Sequence, residues 1–246
     1  MIRRTFLGLL GLGMAMVPTM AQTKYLSLSN PSFESPAWTG PLPVDIRLDG
    51  WTKTPAPSWF VPQGPLQSWE QLSGIFPNPP EGQPGRIPNG DGSQAAYLLT
   101  LPLAGFSQVL PATFEAGVSY ELTVGVRGGG NIVDGTPLMV SLFYLDATFQ
   151  PVPVGSATVA YGAAMGGAWP ALTDVMASTG VVGAGSAAVG RNVGVSILSV
   201  GGMGEGYWDL DNVRVAATVV PEPGVVALAG LGGVMVGVAL RGRSRR

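Results

Sequence analysis

Apolar and polar residues alternate along several short segments of the chain, and a period of two predicts β-strands. The clearest segments are 120–126, 138–144, 193–198 and 208–215, and shorter candidates lie at 95–101, 106–110 and 158–161. No long stretch repeats with the 3.6-residue period of a helix. Several short strands at this spacing predict an all-β fold, a β-sandwich of the size that residues 22–219 provide.

A proline-rich segment precedes the first predicted strand. Residues 53–92 carry nine prolines and many glycines, which favour turns and interrupt sheets. We therefore expect this segment to wrap the sandwich as an ordered loop rather than to form sheet. Trp59 and Trp69 lie within it, whereas Trp51 and Trp208 have the pattern of core residues.

Composition excludes several classes of function. Between Gln22 and Val220 the chain has seven basic and fourteen acidic residues, a net charge of −7, which disfavours nucleic-acid binding. The sequence contains no Cys and no His, so disulfides, thiolate zinc sites and His-dependent nucleophiles are excluded. A metal site would have to hold a hard cation with oxygen ligands.

The N-terminal segment, residues 1–21, has the order of a signal peptide. Arg3 and Arg4 precede the short apolar stretch 6–17, and Ala21 suits the last position before cleavage by signal peptidase. The pair of arginines also resembles a twin-arginine export signal. A general secretory signal is the simpler interpretation, and the sequence leaves both export routes open.

The C-terminal segment, residues 220–246, has three parts in a fixed order. Pro221, Glu222 and Pro223 precede the uncharged apolar stretch 224–240. The basic residues Arg241, Arg243, Arg245 and Arg246 end the chain. Seventeen residues would span about 25 Å as a helix, near the lower limit for a membrane, and the arginines would keep that end cytoplasmic.

This tripartite tail resembles the PEP-CTERM sorting signal. The resemblance implies recognition by an exosortase near the Pro-Glu-Pro motif, in a Gram-negative bacterium that makes extracellular polysaccharide. We therefore expect an exported protein that is anchored in the inner membrane as an intermediate and then reaches the cell envelope, the surface or the extracellular matrix.

Short motifs in the middle of the chain support a second resemblance. An Asn30-to-Glu34 opening, the stretch 88–98 and the closing stretch 211–215 occur in the order of a jelly-roll family that is common in PEP-CTERM proteins. That family is akin to carbohydrate-binding modules and galactose-binding-like domains, and the Stig cyclases look like members too. The resemblance covers about residues 27–216, with a departure in the Gly- and Ala-rich region 127–190.

The jelly-roll resemblance implies a structural calcium site. In that family the opening loop and the closing strand share Ca²⁺, which makes Glu34 and Asp211 candidate ligands with Asn30 nearby. Asp209 is a weaker candidate because it shares a strand face with Asp211. The alternative is that Asn30 and Asp211 only satisfy turn backbone while Glu34 is a surface charge.

Three functions remain open at this point. Exposed aromatic residues could stack on a sugar, and Trp59 and Trp69 in the proline-rich segment 53–92 are the candidates for such a face. The resemblance to Stig cyclases would instead make an aspartate such as Asp211 a general acid, but the calcium interpretation uses the same carboxylate. We predict a non-enzymatic envelope protein that binds extracellular polysaccharide, with a purely structural matrix module as the alternative and no catalytic residue.

Overall fold

Eleven β-strands occupy nearly half of the part of the chain that the computed structural model describes, which is residues 21–62, 68–162, 171–202 and 206–220. A short 3-10 turn, Trp69–Leu72, precedes the third strand. The strands are β1 Gln22–Tyr25, β2 Thr52–Lys53, β3 Ser73–Pro77, β4 Gln94–Leu99, β5 Gly105–Thr113, β6 Val118–Gly130, β7 Pro137–Leu145, β8 Pro151–Ala160, β9 Thr173–Val181, β10 Asn192–Ser199 and β11 Gly206–Val219.

The strands form two antiparallel sheets. The first sheet has the order β3-β4-β11-β6-β9, with β1 added along β11, and the second has the order β2-β5-β10-β7-β8. From β4 to β7 consecutive strands alternate between the sheets, so the two sheets are tied together by many crossings. The predicted all-β sandwich is confirmed.

Strand β11 shows how the sequence pattern builds the core. Trp208 and Leu210 are buried at even positions, whereas Val213 and Val215 are buried at odd positions. A bulge between Asp211 and Arg214 shifts the register by one residue, so all four side chains face the interior. Trp208 and Trp51 are buried, as the sequence predicts.

Four strands, β1, β2, β3 and β9, have no counterpart in the sequence prediction. Strand β3 lies inside the segment 53–92, which was expected to be loop. Strand β9 lies in a part of the Gly- and Ala-rich region where no strand was predicted. Both are outer strands of the first sheet in the described chain. An outer strand buries fewer large side chains, so its alternation is weak, and β3 tolerates Pro77 at its end.

Two segments cover the outer face of the first sheet. The strap, residues 33–48, runs beside β3, where the backbones of Asp45 and Ile75 exchange hydrogen bonds of 2.9 and 2.7 Å. The proline-rich loop, residues 78–93, is held by a small second core of Ile87, Ala95 and Leu172 with Phe76 packed against it. Alternation alone would leave the outer face of the first sheet exposed to solvent, and these two segments partly enclose it.

The predictions for the two ends of the chain concern residues outside the described ranges. These are the signal segment up to residue 20, the Pro221-Glu222-Pro223 motif, the apolar stretch 224–240 and the terminal arginines. Within the described ranges, no helix combines the length and the hydropathy needed to cross a membrane.

Candidate functional site

A cleft of about 600 Å³ lies on the outer face of the first sheet. Its floor is formed by side chains of β3, β4, β6 and β11. Its walls come from the strap, through Pro43 and Val44, and from the proline-rich loop, through Pro79 and Gly85. The side chains of the floor that matter for chemistry are Phe76, Tyr97, Arg127, Tyr207 and Asp209.

The floor is organised by strand register. Asp209 of β11 pairs with Tyr97 of β4 on one side and with Arg127 of β6 on the other. Residues directly opposite each other in antiparallel strands project from the same face. Phenol, carboxyl and guanidinium groups therefore form a row across three central strands.

Asp209 is a buried acid with one free oxygen. Its side chain is 2% exposed, and Oδ2 lies 3.2 Å from Nε of Arg127. Burial raises the pKa of Asp209 to about 7, against the opposing effect of Arg127. Within the described structure Oδ1 has no hydrogen-bond partner. A carboxyl that keeps its proton near neutral pH and has an unused oxygen can donate that proton to a ligand.

Tyr97 is a neutral phenol beside this acid. Burial, and next the charge of Asp45, raise the pKa of Tyr97 to about 12. Its hydroxyl donates a 3.1 Å hydrogen bond to the carbonyl of Gln71. Gly74 makes this arrangement possible, because a Cβ there would collide with the Asp45 carbonyl and lie 2.8 Å from the Tyr97 ring.

Tyr207 lies over a glycine on the neighbouring strand. A Cβ on Gly129 of β6 would meet the aromatic ring of Tyr207, with its Cζ atom only 2.7 Å away. The absence of a side chain at this position lets the ring lie against the sheet and form part of the floor. The cleft thus has aromatic surfaces on both sides of Asp209 along the sheet.

The predicted calcium ligands Glu34 and Asp211 are brought to one loop outside the cleft. The backbone N–H of Asp91 donates to Asp211 Oδ2 at 2.7 Å. The backbone N–H groups of Ser93 and Gln94 donate to Glu34 Oε1 at 2.9 and 2.8 Å. The pKa of Asp211 is raised to about 7, by burial first and then by the negative charges of Asp91 and Glu34, against hydrogen bonds from the backbone N–H groups of Asp91 and Asn212.

Asn30 is placed differently from the other two candidates. Its amide nitrogen donates to the carbonyls of Ser35 and Asp49, and its amide oxygen accepts from the backbone N–H of Ser35. These bonds fix the turn that opens the strap. In the described chain no group of three or more acidic, Cys or His residues is close enough to hold a metal ion. Carboxylate oxygens at this loop suit calcium, but the ligand set is incomplete as it stands.

Trp59 and Trp69 form an aromatic cluster with Phe60 away from the residues that line the cleft. Trp69 is 5% exposed and its indole N–H donates to the carbonyl of Thr54 at 2.6 Å. Trp59 is 50% exposed, and its ring centroid lies 6.1 Å from that of Trp69. Trp69 is therefore a packing residue, and only Trp59 presents a substantial surface.

Sequence reasoning missed the role of three residues. It treated Asp209 only as a weak metal candidate, and it did not single out Arg127 or Tyr97. The general-acid suggestion fell on Asp211, which lies under the proline-rich loop and does not line the cleft. The available signal was an acid placed between the core residues Trp208 and Leu210, whose side chain must leave the core on the opposite face.

A family model and several solved structures match this chain. A family model described as HpiC1-like, HpiC1 cyclase, matches residues 24–216. The solved Stig cyclase FisC from Fischerella sp. TAU, in complex with (3Z)-3-(1-methyl-2-pyrrolidinylidene)-3H-indole, is 19% identical, with 81% of this chain and 100% of that chain covered and a TM-score of 0.61. A cyclase from Fischerella sp. TAU in complex with 4-(1H-indol-3-yl)butan-2-one is 20% identical, with 81% and 100% covered and a TM-score of 0.61.

More distant matches include a carbohydrate-binding module, CBM4, at 14% identity and a TM-score of 0.42, with 78% of this chain and 99% of that chain covered. No curated protein sequence matches the chain. The matches to the two Fischerella cyclases show a shared sandwich fold.

Two predictions are corrected by these findings. A polysaccharide-binding or purely structural module, and a protein that is not an enzyme, were both expected. The family model and the Stig cyclase structures point instead to a cyclase-type enzyme. The resemblance to the jelly-roll group that includes the Stig cyclases is confirmed, whereas the PEP-CTERM resemblance stays a prediction.

The buried acids predict how stability depends on pH. Asp209 and Asp211 have a pKa of about 7 in the folded chain, above the ordinary value of 3.8. The folded state therefore binds more protons between these values, and the free energy of unfolding falls as pH rises from about 4 to about 7. In Asp209→Asn the free energy of unfolding should fall less steeply between these pH values, with a slope smaller by about 1.4 kcal/mol per pH unit.

The measurement is chemical denaturation at several pH values. Asp146→Asn is the control, because hydrogen bonds from Gln150 and Thr148 lower the pKa of this exposed carboxyl, so its effect lies at lower pH. An Asp209→Asn profile that is parallel to the wild-type profile from pH 4 to 7 would contradict the assignment of a buried, protonated acid.

Proposed function

Because the chain belongs to the HpiC1-like cyclase family, we propose that it is a cyclase-type enzyme whose reaction takes place in the cleft over the first sheet. The observation that carries the proposal is the buried carboxyl of Asp209, which lines the cleft, has a pKa of about 7 and keeps its Oδ1 without a hydrogen-bond partner among the described residues. A carboxyl in this environment is suited to general acid catalysis near neutral pH.

The proposed reaction begins with proton transfer from Asp209 to a carbon–carbon double bond of the substrate. A C–H bond forms, and the adjacent carbon becomes cationic. A second π bond of the same molecule attacks this carbon and closes a ring. Loss of a proton from a neighbouring carbon to the Asp209 carboxylate restores the acid. The net change is an isomerisation, so the atoms and electrons balance without a co-reactant.

The neighbouring side chains would stabilise both charged species, the carbocation of the substrate and the carboxylate of Asp209. The rings of Tyr97, Tyr207 and Phe76 offer π faces to a cation, an interaction that strengthens where water is excluded. Arg127 lies against Oδ2 of Asp209 and stabilises the carboxylate once its proton has left. Tyr97 stays neutral throughout because its pKa is raised to about 12.

Flat, unsaturated molecules with a fused aromatic ring are the first substrates to test. The Fischerella structures similar to this chain were solved with indole derivatives, and the cleft presents three aromatic side chains. Indoles that carry an alkenyl chain combine a protonatable double bond with a second π system, which is what the proposed ring closure requires.

The experiment incubates the full-length protein with a panel of alkenyl indoles and detects products of unchanged mass and altered retention. Asp209→Asn should lower the rate by about 100-fold or more, since it removes the proton donor but keeps the shape. Asp146→Asn, at an exposed turn, should leave the rate unchanged. An undiminished rate in Asp209→Asn, or no isomerisation of any panel member, would contradict the proposal.

We also propose that calcium binds at the loop shared by Glu34 and Asp211. Support comes from the donor chemistry and from the two negative neighbours of Asp211, which a divalent cation would compensate. Calcium at about 100 times its dissociation constant should add about 2.7 kcal/mol of stability and raise the melting temperature by about 5–10 °C. Glu34→Gln should reduce this rise. Equal melting temperatures in EDTA and in calcium would rule the site out.

A third proposal concerns location. The three-part tail supports export followed by exosortase sorting, which would place the enzyme outside the cytoplasm. Replacing Pro221, Glu222 and Pro223 with alanine should leave the chain uncleaved and in the membrane fraction of a host with an exosortase. Alanine at Val225 and Val226 keeps the motif and serves as the control. Normal processing of the motif variant, measured by mass spectrometry, would refute the proposal.

A further inference from the structure

The guanidinium group of Arg127 has unused hydrogen-bond donors at the cleft. Its single protein partner within the described residues is Asp209, through the 3.2 Å contact between Nε and Oδ2. Its two terminal nitrogens, Nη1 and Nη2, have no hydrogen bond to the protein in that part of the chain. The side chain is 22% exposed and lines the cleft.

Beyond the contact between Nε and Asp209 Oδ2, no acid pairs with this cation among the described residues. Asp45, on the strap, is the acid nearest to the wall residues Pro43 and Val44, and Arg47 holds it through an ion pair. Tyr97 is neutral, and Lys53 donates to the carbonyls of Glu70 and Ser73 rather than to an acid. The guanidinium therefore presents unused charged donors beside apolar surface, an arrangement that suits a negatively charged ligand.

We propose that the substrate of this cleft is an unsaturated acid, whose carboxylate binds the terminal nitrogens of Arg127 while its apolar body lies over Asp209. The inference names the substrate class of the proposed function and rests on that function for the chemistry. The binding itself follows from the arginine and its surroundings alone.

A carboxylate fits this site better than a diphosphate. The guanidinium presents a planar pair of N–H donors that matches the two oxygens of a carboxylate. Arg127 is the one Lys or Arg among the described residues that line the cleft, and a single positive charge matches a single negative charge. Sites for diphosphates commonly combine several cations, which the described lining lacks.

The strand register sets the length of such a ligand. Arg127 and Tyr97 lie on opposite sides of Asp209, on the two strands that flank β11. Neighbouring strands are about 4.8 Å apart, so the row from arginine to tyrosine spans about 10 Å. A molecule anchored at Arg127 reaches Tyr97 only if its body crosses Asp209, which presents the double bond to the acid.

The test compares two ligands of nearly equal shape, indole-3-acetate and indole-3-acetamide, by calorimetry with the full-length protein. The acetate should bind about 10-fold more tightly than the amide. Arg127→Met should lower the affinity for the acetate about 10-fold and change that for the amide less than about 2-fold. Arg127→Lys, which keeps the charge, should lose less.

Arg214→Met is the matched control. Arg214 also pairs with an aspartate of the first sheet, Asp174, but it is absent from the residues that line the cleft. It should change neither affinity. Equal binding of the two ligands to the wild-type protein, absence of binding by both, or equal losses for both in Arg127→Met would overturn the inference.

The outcomes separate this inference from the proposed function. Preferential binding of acids together with undiminished turnover in Asp209→Asn would refute the proposed chemistry alone. Rapid, Asp209-dependent turnover of neutral alkenyl indoles without any preference for acids would refute the carboxylate inference alone.

Discussion

The burial of one carboxyl group is the constraint on which the candidate site depends. Alternation along β11 sends Trp208 and Leu210 into the core and therefore sends Asp209 to the opposite face, where water would normally surround it. The strap and the proline-rich loop enclose that face, and the cost of desolvation then holds the proton on Asp209. The same enclosure creates the cleft, so acidity and ligand space have one structural origin.

The sandwich supplies the rigidity that such a site needs. Asp209 lies on a strand flanked by β4 and β6, and the side chains beneath it are among the most completely buried in the described chain. Tyr97 and Arg127 are held at fixed distances by hydrogen-bonded register rather than by loop conformation. Asp211 lies two residues further along the same face. It contacts the proline-rich loop rather than the cleft, so Asp209 and Asp211 have different surroundings.

The sequence predicts the sandwich and most of its long strands, because β6, β7, β10 and β11 bury large side chains at regular spacing. It fails for β1, β2, β3 and β9, because strands at the outside of a sheet require fewer apolar residues. It also fails for the acid: Asp209 is 82 residues from Arg127 and 112 from Tyr97, and only strand pairing brings them together. The polysaccharide-binding prediction rested on a fold shared with binding modules, and a sandwich by itself does not determine chemistry.

The cleft has its reactive groups on strands and its walls on two connections with separate anchors. The strap is attached through Asp45 and through Gln94, which donates to the carbonyls of Phe33 and Pro36. The proline-rich loop has its own small core. Insertions or deletions in either wall would reshape the cavity while leaving the acid and its register intact. Selectivity for new molecules can therefore evolve through changes in the walls, while the strands that carry the catalytic floor stay the same.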